Sequence, residues 1–338
     1  MAVNNSVLAS ALRRRQKGYV DSVTSHILLF EWLRMKNRYI STDGGTALEF
    51  EAENVLDTDE HSYADFDTII IAPQDNVVNV LAQWKQYAAP IVISGEERRK
   101  NTGPTRIFNL MEQKERNALN SLQSQLNTDL YLDGTGNNSK KITGLAAVFQ
   151  ETPATGTLFG IDRTAAAGAF FRNRSVDISG TALDLTTKES VMADSMHTGR
   201  IQSGRLRVGG AAHRYPDFGI ATEQYFQWYE KVLQITGMRF RNTDMGDIGF
   251  DNLAYHGMTM FHDEDMPQDD GGAEKLYMLN SEFMELRYHP QANFTPTGLD
   301  RHTNQEVFSG LVIWMGELLP TVPAKMAIIH GATAPAAS

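Results

Sequence analysis

No cysteine occurs among the 338 residues. Disulfides, thiolate metal sites and a cysteine nucleophile are therefore excluded, and the composition fits a reducing compartment. Long apolar runs are missing as well. Near the N-terminus, Val20 to Leu33 is interrupted by Asp21, His26 and Glu31, and no stretch approaches the roughly 20 apolar residues that span a bilayer. No membrane association is expected. Positive charge is in the minority: 31 Lys and Arg against 41 Asp and Glu leave a net charge of -10. A chain of that sign is a poor general partner for duplex DNA, itself a dense line of negative charge, so any nucleic-acid contact has to be local. Hydrophobic residues make up 41% of the chain and charged residues 21%, enough apolar material for a core. The length suits one large or two medium domains.

What is present is charge sorted by segment. Residues 1–40 hold Arg13, Arg14, Arg15, Lys17, Arg34, Lys36 and Arg38 against Asp21 and Glu31, a net of +5. Within this arm, Ser22 to Met35 reads as one helix with apolar residues most of the way round, a pattern that asks for a covering partner. From Asp43 to Asp67 the sign reverses, with nine acids and no Lys or Arg. There Leu48, Phe50 and Ala52 alternate with Glu49, Glu51 and Glu53, the period of a strand. A polar tip from Asp57 to Ser62, including Asp59 and Glu60, and a second run from Phe66 to Ile71 complete a long hairpin with one acidic face. An isolated hairpin is marginal in water, so it must lie on its own domain or on a neighbouring subunit. Further strand is expected over Val77 to Ser94. Arg98, Arg99, Lys100 and Arg106 then form a basic cluster.

Gly103-Pro104 opens the clearest helix, since proline suits a first helical turn. Ile107, Leu110, Met111, Ala118, Leu122, Leu126 and Leu130 form its stripe, and Gly134 is a suitable stop. Helices are also expected after the capping box Thr186-Thr187-Lys188-Glu189, reaching about Gly199, and over Thr222 to Ile235. Phe250 to Phe261 and Leu276 to Tyr288 read as strands, as does much of Gln305 to Ile329. The order describes an α+β protein whose C-terminal strands return to the long helix.

Residues that could carry chemistry are few. His256 with His262-Asp263-Glu264-Asp265 could ligate a metal or pair as acid and base. The spacing matches no metal motif, and neighbouring strand residues point to opposite faces, which favours an acidic turn before Met266-Pro267. Gly134-Thr135-Gly136 follows a helix instead of opening one, contrary to what a phosphate loop requires. Ser195 and His197 have no acid partner in a triad pattern. Arg13-Arg14-Arg15 could touch phosphates without reading sequence. No catalytic constellation emerges, and no cofactor or metal is expected. The opposed charge of arm, hairpin and basic cluster instead suits subunits that set each other's register.

Several stretches resemble one branch of the major capsid proteins of tailed bacteriophages, which share the HK-97-like capsid fold. They are Ile93-Ser-Gly-Glu-Glu-Arg98, Leu130-Tyr-Leu-Asp-Gly134, Ile142-Thr-Gly-Leu145, Phe159-Gly-Ile-Asp-Arg163 with Phe171-Arg-Asn173, Phe261-His-Asp-Glu-Asp-Met-Pro267 and Tyr277-Met-Leu-Asn280. The resemblance covers nearly the whole chain and rests on the order and spacing of these motifs. It implies an N-terminal arm (1–42), an extended E-loop hairpin (43–76), a peripheral domain (77–132 and 291–338) with its spine helix over 104–132, and an axial domain (133–290). It implies a non-enzymatic subunit that assembles in the bacterial cytoplasm, as hexamers and pentamers, into an icosahedral virion shell around double-stranded DNA. The acidic face (Glu49, Glu51, Glu53, Asp57, Asp59, Glu60) should then meet the basic cluster of a neighbour. Arg13, Arg14, Arg15 and Lys17 would touch a neighbour or, weakly and non-specifically, DNA. The hairpin contains no lysine, so the covalent E-loop crosslink of some relatives is not expected. The short arm implies a separate scaffolding protein, beside a portal and a possible decoration protein. An encapsulin nanocompartment shares the fold and is the alternative. A hydrolase using a metal at His256, His262 and Asp263 is the alternative of a different class.

Overall fold

A computed structural model describes residues 27–53, 64–65, 77–100, 104–181, 191–205, 215–236, 253–269, 271–301 and 305–333. Its main elements are α1 (Leu28–Met35), β1 (Tyr39–Ser41), β2 (Leu48–Glu53), β3 (Val77–Ala82), β4 (Lys85–Ser94), α2 (Gly95–Lys100) and α3 (Pro104–Tyr131). They continue with α4 (Leu145–Val148), β5 (Arg174–Asp177), α5 (Val191–Arg205), β6 (Phe218–Ala221), α6 (Glu223–Thr236), β7 (Leu253–Tyr255) and β8 (Met258–His262). The last are β9 (Glu274–Leu279), β10 (Met284–Tyr288), β11 (Thr295–Pro296), β12 (Val307–Pro320) and β13 (Ala327–Ala332). The chain divides into two compact units. One takes the described residues up to Thr46, Gln83–Leu145 and Glu285–Leu319; the other takes Ala47–Ala82, Ala146–Met284 and the described residues from Pro320 on.

The first unit is organised by the 28-residue helix α3, a rod of about 42 Å at 1.5 Å per residue. Met111, Ala118, Leu119, Leu122, Leu126 and Leu130 are buried, the i, i+4 stripe of an amphipathic helix. The helix packs on β4. Antiparallel β4 and β12 pair from Val307↔Ser94 to Gly316↔Lys85, with β10 and β11 also joined to β12, and β1 running parallel beside β10. On the inner face, Trp314 is fully buried and meets the rings of Phe30 at 5.8 Å, Tyr87 at 5.9 Å and Phe294 at 6.3 Å. Phe30 belongs to α1, so part of the expected arm helix is covered by its own chain. That helix begins at Leu28; residues 22–26 lie outside the described residues.

The end of α3 is tied down by polar groups. Asp129 is buried and accepts hydrogen bonds from Tyr87 Oη (2.9 Å), Gln125 Nε2 (2.9 Å) and Lys141 Nζ (2.7 Å). The Tyr87 hydroxyl in turn accepts from Ile142 N at 2.9 Å. Gly144 passes so close to the helix end that a Cβ there would lie 2.4 Å from Leu132 O and 2.5 Å from Leu130 O. The motif Ile142-Thr-Gly-Leu145 is thus a seat for the C-terminus of α3. Beside it, fully buried Glu317 on β12 accepts from Thr143 N (2.8 Å), Leu318 N (3.0 Å) and Thr143 Oγ1 (3.2 Å).

In the second unit, six strands run in the order β5-β13-β9-β6-β8-β7. Pairs β5/β13 and β6/β8 are parallel, and the others are antiparallel. Helices α5 and α6 share a core with one face of this sheet: Met192, Met196, Tyr225, Tyr229 and Val232 pack with Met258, Met260, Leu276, Met278, Ala327 and Ile329. The expected apolar side of α6 (Tyr225, Phe226, Tyr229, Val232, Leu233) is buried as read. Helix α5 runs to Arg205, six residues beyond Gly199; its proposed capping box lies outside the described residues. The strand expected over Phe250 to Phe261 is a hairpin, because His256 (φ 45°) and Gly257 (φ 87°) make a tight left-handed turn between β7 and β8.

Two boundaries differ from the sequence expectation. The partner of β2 is β3, in the register Leu48↔Ala82 to Glu53↔Val77, so the ribbon continues to Ala82 instead of closing before Val77. The segment from 66 to 76 lies outside the described residues. The C-terminal region does not stay with the long helix as a whole: β13 is inserted between β5 and β9 of the second unit. Its apolar residues Ile328 and Ile329 are 1% and 0% exposed, a burial that only a central strand position supplies. Conversely, β10 joins β1 in the first unit.

Candidate assembly surfaces

The β2/β3 ribbon separates two faces. Leu48, Phe50, Ala52, Val80 and Ala82 are buried, and Phe50 meets Phe159 edge-on at 5.9 Å. The base of the hairpin therefore rests on its own chain. Glu49 and Glu51 are exposed on the opposite face, where their register partners are Leu81 and Asn79. Leu81 is 50% exposed. The side chain of Glu53 and all of Asp57, Asp59 and Glu60 lie outside the described residues, as do Arg13, Arg14, Arg15 and Lys17.

Among the basic cluster, Arg99 and Lys100 sit on α2, and both have partners within the chain. Arg99 forms a two-pronged pair with Glu306, at 2.6 and 2.8 Å. Lys100 pairs with Glu96 at 2.7 Å. The side chains of Arg98 and Arg106 lie outside the described residues. A capping box starts α2: Ser94 Oγ accepts from Glu97 N (3.1 Å), and the Glu97 carboxylate accepts from Ser94 N (3.2 Å). That pairing holds Glu97 below the usual carboxylate range, with Lys114 at 3.4 Å adding to the effect. Ser-Gly-Glu-Glu is a readable capping pattern, and it explains why this motif precedes the spine helix.

A third surface is apolar. The outward face of the β4/β12 pair carries Ala88, Pro90 and Val92 opposite Ile313, Leu311 and Ser309. Val92 is 46% and Leu311 40% exposed. Among the described residues β4 pairs only with β12, so it is an edge strand, and Pro90 suits an edge because it has no N–H to offer. The run Ala88-Ala-Pro-Ile-Val-Ile93 is apolar on both faces, the pattern of a strand covered on both sides. Such a strip is a candidate contact surface, and the only signal for it in the sequence is this unbroken apolar run.

The alternative metal cluster is not assembled. His256 sits exposed in the β7/β8 turn, His262 packs its ring 5.0 Å from Phe226, and Asp263 Oδ1 accepts from Asp265 N in an acidic turn. Among the described residues the grouping able to share an ion is a different one, Glu151, Asp269 and His330. The other family-like motif is structural. Arg163 is 1% exposed and donates to Val148 O and Ala147 O, both at 2.8 Å, closing the end of α4. Arg172 Nε donates to Arg163 O (2.6 Å), and Asn173 bonds Gln150 through both its amide atoms.

No protein-family profile and no curated protein sequence matches the chain. Solved structures do. The capsid asymmetric unit of cyanophage A-1(L) aligns with a TM-score of 0.60 at 15% identity, over 88% of this chain and 91% of that one. The capsid of Myoviridae phage XM1 aligns with a TM-score of 0.56 at 11% identity, over 88% and 90%. The SrpI encapsulin of Synechococcus elongatus PCC 7942 aligns with a TM-score of 0.53 at 12% identity, over 90% of both chains. The class is thus a mixed α+β fold shared with these structures. The chain has the HK-97-like fold along nearly its whole length.

Proposed function

We propose that this chain is the major capsid protein of a tailed bacteriophage, a non-enzymatic subunit of an icosahedral shell around packaged double-stranded DNA. The observation that carries the reading is coverage. The fold shared with phage capsids takes in 88% of this chain and about 90% of theirs. Assembly proceeds in the bacterial cytoplasm through hexamers and pentamers, aided by a scaffolding protein and a portal. Three surfaces make the contacts: the acidic outer face of the hairpin with Glu49 and Glu51, the basic residues around α2, and the apolar strip of Val92 and Leu311. Arg99 already holds Glu306, so a neighbour's Glu51 would join or displace that pair. The reversals Glu51→Arg and Arg99→Glu should each impair assembly, and the double reversal should restore it. A double variant no better than the singles rules out that pairing.

An encapsulin-type shell is the second reading, favoured by the equal coverage of the SrpI structure. Negative-stain electron microscopy of the protein, expressed alone and with its genomic neighbours, tests both. Closed shells or curved sheets are expected. Double-stranded DNA in particles recovered with the neighbouring packaging genes supports the capsid reading, whereas an enclosed enzyme supports the encapsulin. Small discrete particles under every condition would overturn both.

A further inference from the structure

One polar cluster in the second unit belongs to none of the three candidate assembly surfaces. Glu151 follows α4, Asp177 ends β5, Asp269 lies in the loop before β9, and His330 is on β13. Each of Glu151, Asp269 and His330 offers one ligand atom, and the three atoms lie within 4.8 Å of one another. Asp177 Oδ1 is 4.0 Å from His330 Nδ1, and Glu151 Oε2 is 3.9 Å from the same nitrogen.

The tautomer of His330 follows from its neighbours. The Ser175 hydroxyl donates its single proton to Glu151 O at 2.7 Å. It can therefore only accept from the imidazole Nε2, 3.0 Å away. The proton of a neutral ring is thus on Nε2, and the Nδ1 lone pair is turned toward carboxylate oxygens. At 3.9–4.0 Å from those oxygens, Nδ1 is too distant for a direct hydrogen bond, and a positive charge between them, either a metal ion or a second proton on the ring, suits all the facing groups. Asp269 is held equally firmly: Oδ1 accepts from Gly271 N (2.9 Å) and Ala273 N (2.7 Å), and Oδ2 from Gly331 N (2.8 Å). Orienting hydrogen bonds of this kind on the far nitrogen of a histidine and on a carboxylate are what metal ligands use to fix their geometry.

We propose that Glu151, Asp269 and His330, with Asp177 at the rim, form a binding site for one divalent transition-metal ion, zinc or manganese, that staples β13 and β5 to the flanking loops. One nitrogen and carboxylate oxygens suit these borderline ions better than the all-oxygen sites of calcium. Metal–ligand bonds of about 2.0–2.2 Å put tetrahedral ligand atoms about 3.4 Å apart and opposed ones up to about 4.4 Å, so the three ligand atoms, with Glu151 and His330 3.9 Å apart and all within 4.8 Å, would draw in slightly around an ion. The ion would also offset the mutual repulsion of the carboxylates. This inference stands apart from the shell function, because the site lies within one chain.

The test uses untagged, full-length protein stripped with EDTA and titrated with zinc chloride by calorimetry, and with manganese chloride by electron paramagnetic resonance. One ion per chain and a raised melting temperature are expected. Glu151→Gln keeps the shape of its side chain and should bind at least tenfold more weakly, as should His330→Gln, and both should lose the metal-dependent rise in melting temperature. Absence of saturable binding by the wild type, or affinity unaltered in both variants, overturns the proposal.

Discussion

Replacing Glu317 by glutamine should remove a stability term that depends on pH. Glu317 lies fully buried on β12. Burial pushes its carboxyl up from an ordinary value of 4.5 to about 8, against the opposing hydrogen bonds from Thr143 and Leu318 N–H and the charge of Lys85. The folded chain then keeps a proton that the unfolded chain has already lost between pH 4.5 and about 8. Across that window the unfolded state binds fewer protons, so stability falls as pH rises, at about 1.4 kcal/mol per pH unit. From pH 5 to pH 8 the accumulated loss is of order 3–4 kcal/mol, an upper bound because water penetration softens buried sites. The substituted amide would still accept from both N–H groups and can donate to Thr143 Oγ1, but it never ionises. The variant should match the wild type near pH 5 and exceed it by a few kcal/mol at pH 8. Urea denaturation of unassembled subunits, followed by the fluorescence of buried Trp314, measures this directly; groups common to both proteins cancel in the difference. A difference that stays constant from pH 5 to pH 8 refutes the reasoning. Glu317→Ala, which strands two backbone donors, should lower stability at every pH by about 2 kcal/mol or more.

Leu311→Asp places a charge on the outward apolar strip; subunit unfolding should shift by no more than about 0.5 kcal/mol, while sedimentation should show shells lost. Gly168→Ala would put a Cβ 2.0 Å from Asp162 O, against backbone that cannot step aside, and thermal melts should show a loss of about 2 kcal/mol or more. Ser94→Ala removes the cap of α2 and should cost about 1 kcal/mol, read by urea titration.

Much of the fold was legible because local physics decides it. The 28-residue span of α3 follows from Pro104, a leucine stripe and Gly134. Likewise α6 follows from the spacing of Tyr225, Phe226, Tyr229 and Val232, and β2 from the alternation of glutamates with Leu48, Phe50 and Ala52. The family-like motifs were also visible, although their reasons were not: Gly144 is a close backbone approach, and Arg163 closes a helix end. Those contacts join residues that no periodicity connects.

The sequence by itself therefore determined the helices, the half-buried strand and the sorting of charge, because each depends on neighbours within a turn or two of chain. Only the tertiary structure decided which strands pair. It set β3 against β2, carried β13 into the second sheet and β10 into the first, gave Arg99 a partner in Glu306, and brought Glu151, Asp269 and His330 together. Strand pairing and ion clusters depend on segments up to hundreds of residues apart, and their energies are settled by burial and distance, which a linear pattern does not contain.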